Sequence, residues 1–182
     1  MAMVLFVCTG NLCRSPSAEK LLARRLSEFG PSDVRVESAG TSGTTLEVPS
    51  DLRRESASFG MDLSSHVARR VDAGTVARAD MVIGMERSHV REVVLADPPA
   101  FGKAFTLREI VRRGRQSGPR ISGQSLAEWL TQIGEERRHV DLMGDSPLDD
   151  IPDPMGGRAK DYRVMLNELE MLTGTLHSLV WP

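Results

Sequence analysis

Cysteine is scarce: the 182-residue chain holds two. Two thiols build neither the disulfide framework of a small secreted domain nor a four-thiolate zinc site, so the expected compartment is the reducing cytoplasm. Aromatic residues are also few, five Phe, two Trp and one Tyr, which limits any site that works by ring stacking. Neither charge sign dominates. The 23 Lys and Arg against 25 Asp and Glu leave a net charge of −2, with no electrostatic ground for nucleic-acid binding or attachment to a membrane surface. The first apolar stretch, Met3 to Val7, follows no cationic segment and is too short for a signal core or a membrane span, so no membrane insertion is expected. No zinc-ligand spacing joins the four histidines, and neither a metal nor a cofactor is called for.

The length fits one domain, residues 1–182, large enough to bury a real core. Met3 to Val7 is a run of β-branched and large apolar residues ending at Cys8, read as a strand buried on both faces. After a short loop, Ala18, Leu21, Leu22, Leu26 and Phe29 keep one helical stripe until Gly30-Pro31, with Ser15 before Pro16 as the expected N-cap pair. Val34 and Val36 alternate with charged residues as a second strand, and the crossover between the two strands should be right-handed. A polar loop follows over 41–49, and Ser50 is expected to cap a helix over 51–59. Asp80 to Met85 reads as a third strand, Glu86 to Ala96 as a helix closed by Asp97-Pro-Pro, and Ala104 to Thr106 as a fourth strand. Two helices are expected over 107–115 and 124–140, and an amphipathic one over 158–180. The alternation defines an α/β fold. Between Arg108 and Arg120 stand five Arg and one Glu, and between Asp141 and Asp153 five Asp and no cation, a local swing hidden by the overall balance.

The chemistry concentrates in Cys8-Thr-Gly-Asn-Leu-Cys-Arg-Ser15. A buried strand, a tight glycine-containing loop and an immediate helix start form an anion cradle: successive backbone N–H groups converge on one oxyanion, the helix N-terminus adds partial positive charge, and Gly10 is expected to let the backbone bend. The same field favours a thiolate at Cys8. Arg14 adds a planar fork for two phosphoryl oxygens. This is not a nucleotide P-loop, since no Gly-Lys-Ser/Thr follows, and the three-glycine dinucleotide pattern is absent.

With these residues the sequence resembles the low-molecular-weight protein tyrosine phosphatase family, whose members begin with a strand and a Cys-x5-Arg-Ser/Thr-Pro loop. Ser38-Ala-Gly-Thr41, Ser65-His-Val-Ala-Arg69, Ala79 to Arg87 and Ile151-Pro-Asp-Pro154 also look like family segments in family order. The resemblance covers about residues 3–97 and 150–180, leaving 102–149 as an enlarged helical segment before the Asp-Pro loop. It implies a four-stranded parallel sheet flanked by helices, and a cytoplasmic phosphomonoesterase acting on a phosphorylated protein or a small phosphomonoester. It also implies roles. Cys8 attacks phosphorus; Arg14 and the amides of Thr9, Gly10, Asn11, Leu12 and Cys13 hold the oxygens. The Ser15 hydroxyl stabilises the leaving thiolate, and Asp153 is the general acid and then base. Asp97, in the other Asp-Pro, is out of place, and Asp149 and Asp150 are the nearer competitors for the acid. Asn11, Ser38 and His66 correspond to the network that braces the loop. Cys13 is close enough to Cys8 to capture its sulfenic acid as a disulfide.

The pattern breaks at the pocket walls. The family places aromatic rings after the Ser-Ala-Gly-Thr segment and after the catalytic Asp-Pro, whereas this chain reads Ser42-Gly-Thr-Thr45 and Pro154-Met-Gly-Gly157. Phe101, Phe105, Trp129 and Tyr162 are the candidate replacements. Other activities stand beside tyrosine phosphatase. A phosphoarginine phosphatase resembles the chain too but carries a threonine where this loop has Leu12, a thiol-coupled arsenate reductase needs further cysteines, and a phosphate-binding module would use the loop without turnover. Ordinary structural readings compete as well: Cys8 as a small core residue, Cys13 as helix-start packing, Asp153 as a turn cap and His66 as a core or surface residue. His89, His139 and His177 are read as solvated, and the Arg108 to Arg120 cluster as a solvated helix face. The sequence sets no oligomeric state.

Overall fold

A computed structural model of the chain describes residues 2–182. Its centre is β1 (Ala2–Cys8), followed by α1 (Arg14–Phe29) and β2 (Val34–Gly40). After α2 (Ser50–Ala57) and α3 (Ala73–Arg78) come β3 (Met81–Gly84) and α4 (Arg87–Ala96). A 3₁₀ turn over Pro98–Gly102 leads to β4 (Ala104–Thr106) and α5 (Leu107–Ser117). Then follow α6 (Leu126–Ile133), a second 3₁₀ turn over His139–Leu142, and α7 (Ala159–Val180). The four strands form one sheet in the order β2-β1-β3-β4, every pair parallel.

The strands form because alternate residues find separate cores. Val4, Phe6 and Cys8 join Leu21, Leu22, Ile110, Trp129, Leu169 and Leu176 on one face of the sheet. Leu5 and Val7 join Val82, Val76, Val90 and Val93 on the other. A central strand with helices on both sides must be apolar throughout, as Met3 to Val7 is. From β1 the chain moves to β2 on one side and later to β3 on the other, so the order reverses between the carboxyl ends of β1 and β3. In open α/β sheets that crevice is where ligands bind. Cys8 ends β1 there, and Glu86 lies just past β3, with Val7 paired to Gly84.

Several expectations change. α1 begins at Arg14 with Cys13 in the N-cap position and no side-chain cap, because the Ser15 hydroxyl is engaged with Cys8, Asn11 and Ala39. The first-turn amides are thus unclaimed by a side chain, as an anion site at a helix N-terminus needs. Ser50 is the first residue of α2, not its cap. The helix read over 124–140 shortens to α6, started by a Ser125–Glu128 capping box and ended at Gly134. α3 was not foreseen: six residues capped by Asp72 are too short for periodicity to register. The Arg108–Arg120 cluster is a set of internal ties, Arg108 to Glu168, Arg112 to Asp149, Arg113 to Glu109 and Arg120 to the Val180 carbonyl. Arg137, whose side chain is 3% exposed, lies over Phe105, 3.9 Å from its ring centre, and pairs with Glu109, fastening the segment that follows β4 to the sheet.

Candidate active site

The loop from Cys8 to Ser15 wraps the sulfur of its own first residue. Cys8 Sγ lies 3.0 Å from Ser15 Oγ and accepts from the Asn11 backbone N–H at 3.3 Å. Cys8 is buried and unpaired in any disulfide. The left-handed bend of the loop falls on Asn11, at φ 53°, and not on Gly10. A Cβ added at Gly10 would meet only the Leu12 side chain at 3.7 Å. Left-handed backbone costs a residue with a side chain about 1–2 kcal/mol, and Asn11 offsets that with an unusually complete set of bonds. Its amide nitrogen donates to Ser15 Oγ at 3.0 Å and Ser38 Oγ at 2.8 Å, and its Oδ1 accepts from the Arg69 N–H at 3.0 Å. Its carbonyl contacts His66 Nε2 at 2.8 Å. Ser38 in turn donates to Glu19 at 2.6 Å.

Gly40 is the glycine this packing requires. A Cβ there would sit 2.6 Å from the Thr9 carbonyl oxygen and 3.0 Å from the Asn11 nitrogen, so only glycine lets the end of β2 touch the loop.

Arg14 is 1% exposed and joins three segments. Its Nη1 donates to Glu86 Oε1 and, at 2.9 Å, to the Ile151 carbonyl. Its Nη2 donates to Asp153 Oδ2 at 2.8 Å, with a longer contact to Thr9 Oγ1 at 3.5 Å. Burial by itself would raise the Glu86 carboxyl; the Arg14 guanidinium outweighs it and holds Glu86 below the usual carboxylate range. Asp149 and Asp150 do not compete for Arg14. Asp149 is held by Arg87 and Arg112; Asp150 accepts from the Arg87 and Ser146 backbone N–H groups at 2.8 and 2.6 Å. Both pin the loop that carries Asp153, as does the Ile151 N–H on the Met85 carbonyl at 2.8 Å.

Two neighbours of the loop went unread in the sequence, Glu86 on Arg14 and His89 on Thr9. His89 is not solvated: it is 1% exposed, with Nδ1 accepting from the Glu86 N–H and Nε2 against Thr9 Oγ1, each at 3.0 Å. Burial, reinforced by Arg14, pushes its pKa down to about 4. The available signal was the Glu86-x-x-His89 spacing of a capping box at the start of α4. Cys13 is buried, and burial followed by repulsion from Asp153 and Cys8 pushes its thiol up to about 12. None of the candidate aromatic walls is exposed as a free ring face: Phe105, Trp129 and Tyr162 are buried, Tyr162 packed behind the loop with Cys13 and against the Gly156 backbone, and Phe101 stacks on His139 at 3.9 Å. Beside the loop a cavity of about 400 Å³ is lined by Thr44, Thr45, Leu46, Arg53 and His66, among others. Among the described residues, no three His, Cys, Asp or Glu group to hold a metal ion, and no helix is long and apolar enough to cross a membrane.

A thiol at the foot of a tight loop, beside a buried arginine at the carboxyl edge of a parallel sheet, is the candidate for a cysteine-centred phosphate site. The chain belongs to the low molecular weight phosphotyrosine protein phosphatase family, whose model matches residues 3–119, further into the segment after Asp97 than the motifs alone indicated. It is 36% identical over 104 residues to the Escherichia coli phosphatase Etp, covering 56% of this chain and 66% of that protein. With a Streptomyces coelicolor low molecular weight protein-tyrosine-phosphatase it shares 37% identity over 128 residues, 68% of this chain and 73% of that one. Among solved structures, a low molecular weight protein tyrosine phosphatase from T. tengcongensis superposes with a TM-score of 0.72 at 28% identity, covering 97% of both chains. The YwlE arginine phosphatase from Geobacillus stearothermophilus gives 0.69 at 28% identity, over 97% of this chain and 90% of that one.

Proposed function

We propose that the protein, as one domain over residues 1–182, is a cytoplasmic protein tyrosine phosphatase that hydrolyses phosphomonoesters through a cysteinyl-phosphate intermediate. The observation that carries this reading is the pair of contacts in one loop and across to a second: Cys8 with Ser15 at 3.0 Å, and Arg14 of the same loop with the distant Asp153 at 2.8 Å. The Cys8 thiolate attacks phosphorus in line with the ester oxygen. As the P–O bond breaks, Asp153 gives that oxygen its proton. In the second step the Asp153 carboxylate takes a proton from water, the water oxygen attacks phosphorus, and phosphate leaves as the P–S bond breaks. The Ser15 hydroxyl and the Asn11 N–H then hold the regenerated thiolate. Arg14 Nη2, on Asp153 in the free protein, turns to the equatorial oxygens and releases the carboxylate to the leaving-group side.

Leu12 is buried and apolar, so the loop offers no hydroxyl at the position where a threonine would favour phosphoarginine. Leu46 lines the cavity beside the loop and Met155 follows Asp153 by two residues, both exposed; in this reading they meet the ring of a phosphotyrosine with aliphatic and thioether contacts in place of stacked rings. Two free thiols fit a reducing cytoplasm. The test compares turnover of phosphotyrosine, phosphoserine and phosphoarginine peptides and of arsenate. Preference for phosphotyrosine, abolished in Cys8→Ser, supports the reading; preference for phosphoarginine or arsenate, or no turnover of any, overturns it.

A further inference from the structure

The Thr9 side chain carries a hydrogen-bond inventory that leaves one function unspent. A threonine hydroxyl has one proton and two lone pairs. His89 Nδ1 accepts from the Glu86 backbone N–H at 3.0 Å, so it bears no proton, and the neutral ring must carry its proton on Nε2. That Nε2–H points at Thr9 Oγ1 at 3.0 Å and fills one lone pair. Arg14 Nη2 donates to the other at 3.5 Å. Both neighbours are donors, so the Thr9 proton is directed to neither. It does not go to the sulfur either: the Cys8 Sγ partners are Ser15 Oγ and the Asn11 N–H. Thr9 is exposed, and its carbonyl is pinned by Ser42 through N–H and Oγ bonds of 3.0 and 3.1 Å, so the residue cannot swing away as a unit.

We propose that the Thr9 hydroxyl is a further donor to the bound phosphoryl group, and that His89 is the positioning residue that keeps it a donor. A phosphoryl dianion accepts hydrogen bonds and donates none, so a hydroxyl whose acceptor sites are already filled matches it with no reorientation. When Arg14 Nη2 turns to the phosphate, His89 still holds Oγ1 as an acceptor. The low proton affinity of His89 supports this, because a protonated ring would place an Nδ1–H against the Glu86 N–H. The arrangement also ties the two arms of the site together: Glu86 braces Arg14 with its carboxylate and fixes the His89 tautomer with its backbone.

The inference deepens the phosphatase reading, and its test separates the two. Thr9→Val removes the hydroxyl at constant shape, and Thr9→Ser retains it. In the turnover arm, Thr9→Val should lower kcat/KM for p-nitrophenyl phosphate roughly 10- to 100-fold, the range of a hydrogen bond to a charged group, with Thr9→Ser restoring most of it. In the binding arm, inorganic phosphate is titrated calorimetrically into Cys8→Ser with and without Thr9→Val, where the same weakening should appear whether or not the protein turns over any ester. His89→Phe should lower kcat/KM alone but add little in the Thr9→Val background, since its effect runs through the hydroxyl. Unchanged phosphate binding in Thr9→Val, or equal losses from His89→Phe in both backgrounds, overturns the proposal. Absence of turnover with intact Thr9-dependent phosphate binding overturns the phosphatase reading alone.

Discussion

Replacing Asn11 tests whether the loop is shaped by its backbone or held by a side chain. Asn11 sits at φ 53° and is fully buried, with side-chain bonds to Ser15, Ser38 and the Arg69 N–H. Asn11→Ala removes these three bonds, each worth about 1 kcal/mol net, while the left-handed cost of about 1–2 kcal/mol, already carried by Asn11, stays without the bonding that offsets it. The expected loss is about 3 kcal/mol. In a domain of this size each kcal/mol shifts Tm by about 2–4 °C, so the melt should fall by roughly 6–12 °C. Asn11→Gly loses the same bonds but adopts the conformation freely; set against about 0.5–1 kcal/mol of extra unfolded-chain entropy, it should be the more stable of the two by roughly 0.5–1 kcal/mol. Both variants should be catalytically impaired to a similar degree, because both release Ser15 and the loop amides. Differential scanning calorimetry beside steady-state hydrolysis of p-nitrophenyl phosphate reads both effects. Wild-type kcat in Asn11→Gly would refute the bracing argument; a glycine variant less stable than the alanine one would refute the backbone argument.

Asp153→Asn should slow esters with poor leaving groups, such as alkyl phosphates, by about 100-fold or more while sparing activated aryl esters, the signature of lost proton donation; equal losses on both would reassign the acid. His89 ties stability to pH. Its folded pKa of about 4 lies below the unfolded value near 6.5, so between these values the unfolded chain binds the extra proton and stability falls as pH is lowered, by on the order of 3 kcal/mol in all. Urea titrations from pH 7 to 4 should show that slope in the wild type and a flatter one in His89→Gln; parallel curves would contradict a buried neutral imidazole. Gly40→Ala should cost stability and activity together, about 1–3 kcal/mol for an overpacked contact, because its Cβ would lie 2.6 Å from the Thr9 carbonyl; a fully active Gly40→Ala would show that the loop tolerates displacement.

The legible parts of the site were those that local chemistry fixes. Cys8, Arg14 and Ser15 lie within eight consecutive residues, so their meeting needs only a tight loop and a helix start, and the stripe from Ala18 to Leu26 follows from helix periodicity. Less legible was the division of labour within that loop. Gly10 looked like the bend, yet Asn11 takes it, because a backbone conformation that glycine merely permits is one that asparagine can secure with three side-chain bonds. Ser15 looked like a cap because serine before proline usually is, but the thiol, Asn11 and Ala39 had prior claims on its hydroxyl. His89 looked solvated because a histidine among charged residues usually is; its burial depends on which face of α4 meets the sheet.

From the chain alone came the α/β alternation, a β1 buried on both faces, and a thiol and an arginine in one anion cradle. These rest on periodicity and on contacts a few residues apart. The tertiary structure decided what surrounds the cradle. Glu86 and Asp153 stand 72 and 139 residues from Arg14, and they reach it only because β1 and β3 pair in parallel and because Ile151 hangs its loop on Met85. The scarcity of rings likewise became a statement about the mouth only once Phe105, Trp129 and Tyr162 proved to be committed to the core.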